Sequence, residues 1–371
     1  MTTTLLKECI PARCQNLRIA FVAPARYPIR EPFAGGLEAF CHTMVTALRN
    51  EGHEVDFYAA KGSDGNVKSH ELPGVNWGDS AELATDTGYP AGGREREEQA
   101  FLALREHLVT QCYDVVHNNS LSPAMFPSPA SPEPLPMVTT LHTPQLPEIF
   151  AAVEAAGEAA GRFAAVSATT AASWEMPPAV HGPIEVIPNG VNVRKWAPGP
   201  GGPGAVWFGR IVPEKGLHLA MDACRLLGLP LTIAGRKGDH DYFQEQIAPR
   251  LDGHLIRWLG ELSHGELRRL VGKHAVCVVT PRWEEPFGLV AFEAMSCGTP
   301  VAAFDRGGMG ELLATAPAVL VPPDDVVALA GAIHKALHVD RAAARAWVVE
   351  NHSLAQTARR YVDLYREVTV K

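Results

Sequence analysis

Glu285 and Glu293 stand eight residues apart, at the two ends of a Pro286-Phe287-Gly288 turn that leads into the apolar run from Leu289 to Met295. A loop carboxylate such as Glu285 can accept hydrogen bonds from sugar hydroxyls. Glu293 lies inside a helix-like apolar segment, where a carboxylate must find partners or lose its charge. The hydroxyls of a ribose would serve, and an internal salt bridge is the plain alternative. Upstream, Gly209-Arg210 and Lys215-Gly216 bracket a short loop. Two cations with glycine-exposed amides at a strand end match a diphosphate; a solvated charged turn is the competing reading. Gly35-Gly36 precedes Leu37-Glu38 where a strand gives way to a helix, a place where backbone N–H groups can meet an anion. The pair lacks the spacing of a dinucleotide fingerprint or a P-loop and could be a tight turn. His142 closes an apolar strand. A lone histidine is more often structural, and it gains chemistry only if folding carries it to the second half.

These residues need a scaffold. Residues 17–23 read as a parallel-type strand, 37–50 as a helix and 54–59 as a second strand, a βαβ opening. Residues 62–93 read as irregular, 95–112 as a helix, and 113–117, 137–141, 163–167 and 184–187 as strands. The Pro-Gly-rich stretch 196–204 marks a boundary. A second unit follows, with strands at 205–208, 231–234, 256–259, 274–280 and 298–303. Helices are expected over 217–228, 242–250, 264–273, 289–295 and 326–339. Residues 342–365 read as one nearly continuous helix, bent near Asn351-His352-Ser353. The reading is α/β throughout, in two units.

The bulk numbers agree. A chain of 371 residues suits two α/β domains rather than one core. Its 33 basic and 41 acidic side chains leave a net charge of −8, which argues against nonspecific nucleic-acid binding. Seven scattered cysteines without zinc-ligand spacing point to a reducing compartment, so a cytoplasmic location is expected. There is no HExxH, no carboxylate cage and no Gly-x-Ser-x-Gly elbow, so a metal site is not expected. Peripheral membrane contact stays open, as do monomer and homodimer.

With these motifs in order, the chain resembles the retaining glycosyltransferases of family 4, the glycogen-synthase-like and sucrose-synthase-like group with the GT-B fold. The resemblance runs from about residue 17 to the C-terminal helix and is strongest over 208–301. It implies two Rossmann-like domains facing each other across a cleft. Residues 1–16 would be a flexible tail, 17–193 the acceptor-side domain, 194–351 the donor-side domain, and 352–371 a helix crossing back to the first domain. It implies that Gly35 and Gly36 approach the donor diphosphate, that Arg210 and Lys215 neutralise it, and that His142 stands near the donor sugar. Glu285 would contact the sugar hydroxyls and Glu293 the ribose. Phe287, Gly288 and Leu289 would present amides to phosphate and sugar, and Trp258, Leu259 and Leu262 would border the base. Asn189-Gly190-Val191 resembles the segment that ends the first domain.

The implied activity is transfer of a hexose, foremost glucose, from a nucleoside diphosphate donor, foremost UDP-glucose, without a bound cofactor or metal. The acceptor would be a sugar, a lipid-linked glycan or a small metabolite. A sugar-nucleotide 2-epimerase and a degenerate binding protein are the alternatives; the intact Arg210, Lys215, Glu285 and Glu293 set argues against the latter. Two departures stand out. Gly310 replaces a proline expected before Glu311, which implies a looser turn, and Asn118-Asn119 occupy a place where some relatives have histidine.

Overall fold

The structure, a computed structural model, describes residues 16–78, 88–129, 131–180 and 182–369. The expected tail over 1–16 therefore lies outside the described residues, apart from Asn16. The first domain holds β1 (Arg18–Val22), β2 (Glu54–Tyr58), β3 (Val115–Asn118), β4 (Met137–Leu141), β5 (Arg162–Ala165) and β6 (Glu185–Val186). They form one parallel sheet in the order β2-β1-β3-β4-β5-β6. Helices α1 (Gly36–Asn50), α2 (Gly93–Val109), α3 (Pro147–Ala156) and α4 (Ala168–Ala172) make the crossovers.

The second domain holds β7 (Ala205–Phe208), β8 (Leu231–Ala234), β9 (Ile256–Trp258), β10 (Val276–Val279), β11 (Val301–Phe304) and β12 (Val319–Val321). Their order is β12-β11-β10-β7-β8-β9, again all parallel. Its helices are α5 (Leu217–Leu227), α6 (His240–Tyr242), α7 (His264–Gly272), α8 (Leu289–Ser296), α9 (Met309–Leu312) and α10 (Val326–Ala336). The chain closes with α11 (Arg341–Asn351) and α12 (Leu354–Thr369). Both domains are Rossmann-like, and together they are the GT-B architecture expected.

The strands work as two-sided walls. Ile19 and Phe21 face one core layer, while Ala20 and Val22 face the opposite one. Ala205 and Trp207 separate from Val206 and Phe208 in the same way. Strands buried on both faces are apolar at nearly every position, which is why they read as near-continuous runs. In both sheets the winding reverses at the central strand, between β1 and β3 and between β7 and β10. Loops leaving those strands diverge there and open a crevice at the strand ends.

The last helix does cross back. Leu354, Ala358, Tyr361, Val362 and Tyr365 of α12 join the core of the first domain, beside Phe21, Phe40 and Met44. Burying each tyrosine ring is worth roughly 1.5–3 kcal/mol. Tyr365 OH is 2.6 Å from His117 Nδ1, and Tyr361 OH is 3.0 Å from Thr140 Oγ1, so the hydroxyls are satisfied as well.

Three local expectations need correction. The single helix over 342–365 is two helices. At the break Val191 N–H donates to His352 O (2.8 Å) and Leu354 N–H donates to Val191 O (3.0 Å), so a strand-like bridge replaces helical bonds. The helix over 242–250 is α6 followed by one π turn (Phe243–Ile247) and one 3₁₀ turn (Ala248–Arg250). Pro249 has no N–H to continue a regular ladder. Helix α3 was missed, although Pro147 opens it and Gly157 (φ +55°) closes it. Among the described residues no helix is long and apolar enough to cross a membrane.

Candidate functional site

The loops at the two switch points enclose a cleft of about 600 Å³ between the domains. That volume suits a drug-sized or nucleotide-sized ligand. Gly35, Gly36, His142, Arg210, Lys215, Leu262, Glu285, Phe287, Gly288, Leu289 and Glu293 all line it. Trp258 and Leu259 do not stand among its lining residues. Trp258 turns away to donate from Nε1 to Gly235 O (3.0 Å) and packs on Phe243 (4.9 Å between rings), while Leu259 is exposed. Of the expected base-side residues, only Leu262 reaches the cleft.

Lys215 is fixed by its backbone. It ends a 3₁₀ turn (Pro213–Lys215), and its carbonyl accepts from Thr280 Oγ1 (2.9 Å) at the end of β10. Gly216 is left-handed (φ +60°), and a Cβ there would collide with Thr280 O, so only glycine lets the loop close on β10. Lys215 Nζ then donates to Glu285 Oε2 at 2.5 Å, and Trp283 Nε1 donates to the same oxygen at 2.9 Å. Glu285 is buried, which opposes ionisation. The Lys215 charge and hydrogen bond, the Trp283 bond and the Arg210 charge outweigh that and hold its carboxyl below the usual range. Trp283, missed in the sequence, sits two residues before the carboxylate it supports.

Glu285 is held from below by the next loop. Gly308 N–H donates to Glu285 O (2.8 Å), and a Cβ on Gly307 (φ +65°) would overlap the Glu285 backbone. A Cβ on Gly310 would strike the Asp305 carboxylate. Gly310 lies inside the short helix α9, beside that side chain.

Glu293 projects from α8 beside Leu289 and Val290, and all three line the cleft. Burial drives its carboxyl up to about 8, against a weaker pull from Arg268. Here the environment favours the neutral acid until a ligand supplies donors. The two carboxylates thus have opposite electrostatic settings within one turn-and-helix unit.

From the first domain, Gly35 caps α1 in extended backbone. Where its Cβ would stand, Glu38 Oε2 is 3.0 Å away and Arg210 Nε is 3.7 Å away. The glycine loop of one domain therefore abuts the arginine of the other. His142 Nε2 donates to Asn119 Oδ1 (2.8 Å), and its ring meets the edge of Phe40 (5.0 Å). Burial pushes its pKa down to about 3, so the imidazole is neutral at pH 7 and leaves Nδ1 as an acceptor. Sequence reasoning missed Glu38, Arg26, Tyr27, Tyr89 and Arg236 on the walls. Arg26 and Tyr27 sit in the loop after β1, Arg236 in the loop after β8, Tyr89 just before α2 and Glu38 in the first turn of α1, with no motif around them beyond the Gly35-Gly36 pair.

Direct contacts join the domains. Arg236 Nε donates to Ala34 O (3.3 Å), Phe33 packs on His264 (4.7 Å), and Glu311 accepts from Thr169 N–H (3.0 Å) and Thr169 Oγ1 (3.1 Å) and from Ala168 N–H. Among the described residues no group of three or more His, Cys, Asp or Glu side chains is placed to hold a metal.

Comparison with known proteins gives a consistent result. Residues 34–195 match the family Glycosyltransferase Family 4, and residues 193–351 match Glycosyl transferases group 1. Over 173 residues the chain is 36% identical to glycogen synthase of Mycobacterium tuberculosis, a stretch covering 44% of this chain and 42% of that enzyme. The chain thus spans less than half the length of that relative. It is 28% identical over 351 residues to phosphatidyl-myo-inositol mannosyltransferase of Mycolicibacterium smegmatis, covering 88% of this chain and 86% of that one. Sucrose-phosphate synthase from Thermosynechococcus elongatus superposes with a TM-score of 0.72 at 20% identity, over 95% of this chain and 99% of that one. Anabaena HepE in complex with UDP and glucose superposes with a TM-score of 0.69 at 19% identity, over 95% and 100%.

Proposed function

We propose that this chain, a member of the glycogen-synthase-like glycosyltransferases with the GT-B fold, moves a hexose from a nucleoside diphosphate sugar to an acceptor hydroxyl with retention of configuration. The donor we favour is UDP-glucose, in keeping with the UDP and glucose held by HepE. Residues 194–351 would bind the donor and residues 17–193 the acceptor. One observation carries the reading: Arg210, Lys215, Glu285 and Glu293 line one cleft, opposite Gly35 and His142 of the other domain.

The chemistry follows from the groups. The leaving diphosphate gains charge as the glycosidic bond breaks. Arg210, Lys215 and the N-terminal amides of α8 would meet that charge, each well-placed contact contributing roughly 2–4 kcal/mol in the transition state. Lys215 is preset against Glu285, so a phosphate oxygen arriving beside it completes a network that already exists. Glu285 Oε2 is engaged by two donors, which suits a carboxylate that orients sugar hydroxyls better than a nucleophile. The transfer is therefore assigned to one face of the sugar, the acceptor proton passing to a donor phosphate oxygen. His142, neutral, would position a hydroxyl by hydrogen bonding and would not act as a cation.

Arg210→Ala is the direct test. Release of nucleoside diphosphate in the presence of candidate acceptors should fall about 10²–10³-fold, with an unchanged circular dichroism spectrum. Near-normal turnover would remove Arg210 from the site and the proposal with it.

A further inference from the structure

Asn119 is one of the two asparagines that stand where some relatives have histidine, and the transfer chemistry leaves it without a role. It follows β3 and is 1% exposed. Its backbone N–H donates to Val22 O (2.8 Å), so the loop is tied to β1 without the side chain. The amide instead spans two other groups. Nδ2 donates to His117 O (3.4 Å), and Oδ1 accepts from His142 Nε2 (2.8 Å). The His117 carbonyl is a firm anchor. Its residue is buried, and the ring is held at both nitrogens, by Thr140 Oγ1 (2.8 Å) and by Tyr365 OH of α12 (2.6 Å).

A primary amide has one accepting end and one donating end. Turned the other way, Asn119 Oδ1 would face the His117 carbonyl, acceptor against acceptor, and its NH2 would face Nε2. The anchored amide therefore fixes which nitrogen of His142 carries the proton. With Nε2–H given to Asn119, the neutral imidazole keeps its lone pair at Nδ1, which has no partner among the described residues. The ring lines the cleft and packs on Phe40 (5.0 Å). His117 is the titratable group beside it, and burial keeps both imidazoles neutral. A histidine at position 119 would titrate in its own right and offer either nitrogen; an amide does neither.

We infer that Asn119 is a positioning residue for the transfer: it locks His142 in the Nε2–H form, so that the imidazole offers the donor sugar a lone pair and no second proton. This rests on the reading that the donor sugar lies beside His142. It also sets a requirement on the sugar, which must bring a hydroxyl to that place. A carboxylate or a deoxy position there finds no hydrogen bond.

The test reads the tautomer and the sugar contact separately. Nitrogen-15 spectra of the full chain labelled at histidine, with His142→Gln for assignment, should show the neutral Nε2–H form of His142 in the parent from about pH 6 to 8. Asn119→Leu, similar in size and apolar, should give a mixture of the two neutral forms. Asn119→Asp keeps the acceptor but adds a charge, so His142 should gain a proton within that range. Calorimetry reads the contact: each variant should bind UDP within about twofold of the parent and lose about five- to tenfold for UDP-glucose, the worth of one hydrogen bond. A residue that only held the fold together would move both ligands alike. An Nδ1–H form in the parent, an unchanged Nε2–H form in Asn119→Leu, or variants that keep the parent's ratio of UDP-glucose to UDP affinity would overturn the inference. If the parent binds neither ligand, the proposed function fails and the spectra alone decide Asn119.

Discussion

Glu293 gives the sharpest test at the level of single residues, because its two protonation states differ in what they can hold. Buried and nearly unpaired, its carboxyl titrates at about 8. Ribose hydroxyls donate hydrogen bonds, and the carboxylate accepts them better than the acid does. Donor binding should therefore pull a proton off Glu293. The sign is fixed: a group that must ionise in order to bind makes affinity rise with pH up to its free-state pKa and level off above it. Below pH 8 the apparent affinity for an intact UDP-sugar should fall, by up to about tenfold per unit in the limit where only the ionised form binds. A diphosphate diester has no group titrating near neutrality to confuse the slope. Titrations in two buffers of different ionisation enthalpy should show net proton release near pH 7, and Glu293→Gln should abolish it. Equal proton release in parent and variant would detach Glu293 from the ribose. Its neighbour Glu285 is set the other way by Lys215, which is why two glutamates in one sequence motif are not interchangeable.

Among the elements, the strands and the donor-side glycines were legible because their causes are local. A strand buried on both faces is apolar nearly throughout, and β1, β7, β10 and β11 announce themselves so. Arg210, Lys215, Glu285 and Glu293 could be read because each sits at a strand end or helix start marked by glycine or proline. What stayed hidden depends on contacts far apart in sequence. Nothing around Trp258 says that its indole will turn to Gly235, and nothing around Arg26 says that Arg236 will share the Tyr27 ring with it. The bend expected near Asn351-His352-Ser353 falls where α11 ends and α12 begins, but the cause that makes it a full break is of the same kind. Residues 342–365 have nearly continuous helical spacing, yet Val191 takes over the hydrogen bonds at His352 and Leu354. Gly190 makes that approach possible: a Cβ there would lie 2.5 Å from Leu354 Cα and 2.7 Å from Leu354 N. Backbone cannot yield as a side-chain tip can, so Gly190→Ala should destabilise by about 1–3 kcal/mol. Gly331, exposed within α10 with nothing within 4 Å of its added Cβ, provides the control. Gly331→Ala should be neutral or stabilising by up to about 1 kcal/mol. Urea melts of both variants decide it, and a Gly190→Ala midpoint equal to that of Gly331→Ala would show that the crossover tolerates a wider gap.

For the whole molecule, the question is what keeps two separately cored domains facing each other. Contacts across the cleft include Arg236 to Ala34, the Phe33–His264 ring pair and the Glu311 carboxylate at Thr169. At Glu311 one carboxylate takes two backbone N–H groups and a hydroxyl at the start of α4. It works as a helix cap supplied by the other domain. Such a cap is worth roughly 1 kcal/mol at an exposed position, small against folding but large against an open–closed balance. Losing it would shift that balance toward the open form by about fivefold. A donor that needs both walls, Gly35 on one side and Arg210 on the other, must then supply the closing energy itself. Glu311→Ala should accordingly weaken the donor by about three- to fivefold while leaving the unfolding midpoint nearly unchanged, because each domain keeps its own core. Small-angle scattering without ligand should show a larger radius of gyration in the variant than in the parent, and saturating donor should bring the two together. A variant with the parent's scattering curve and donor affinity would mean that α12 and the Val191 bridge alone fix the angle between the lobes, and the clasp would then be a bystander to closure.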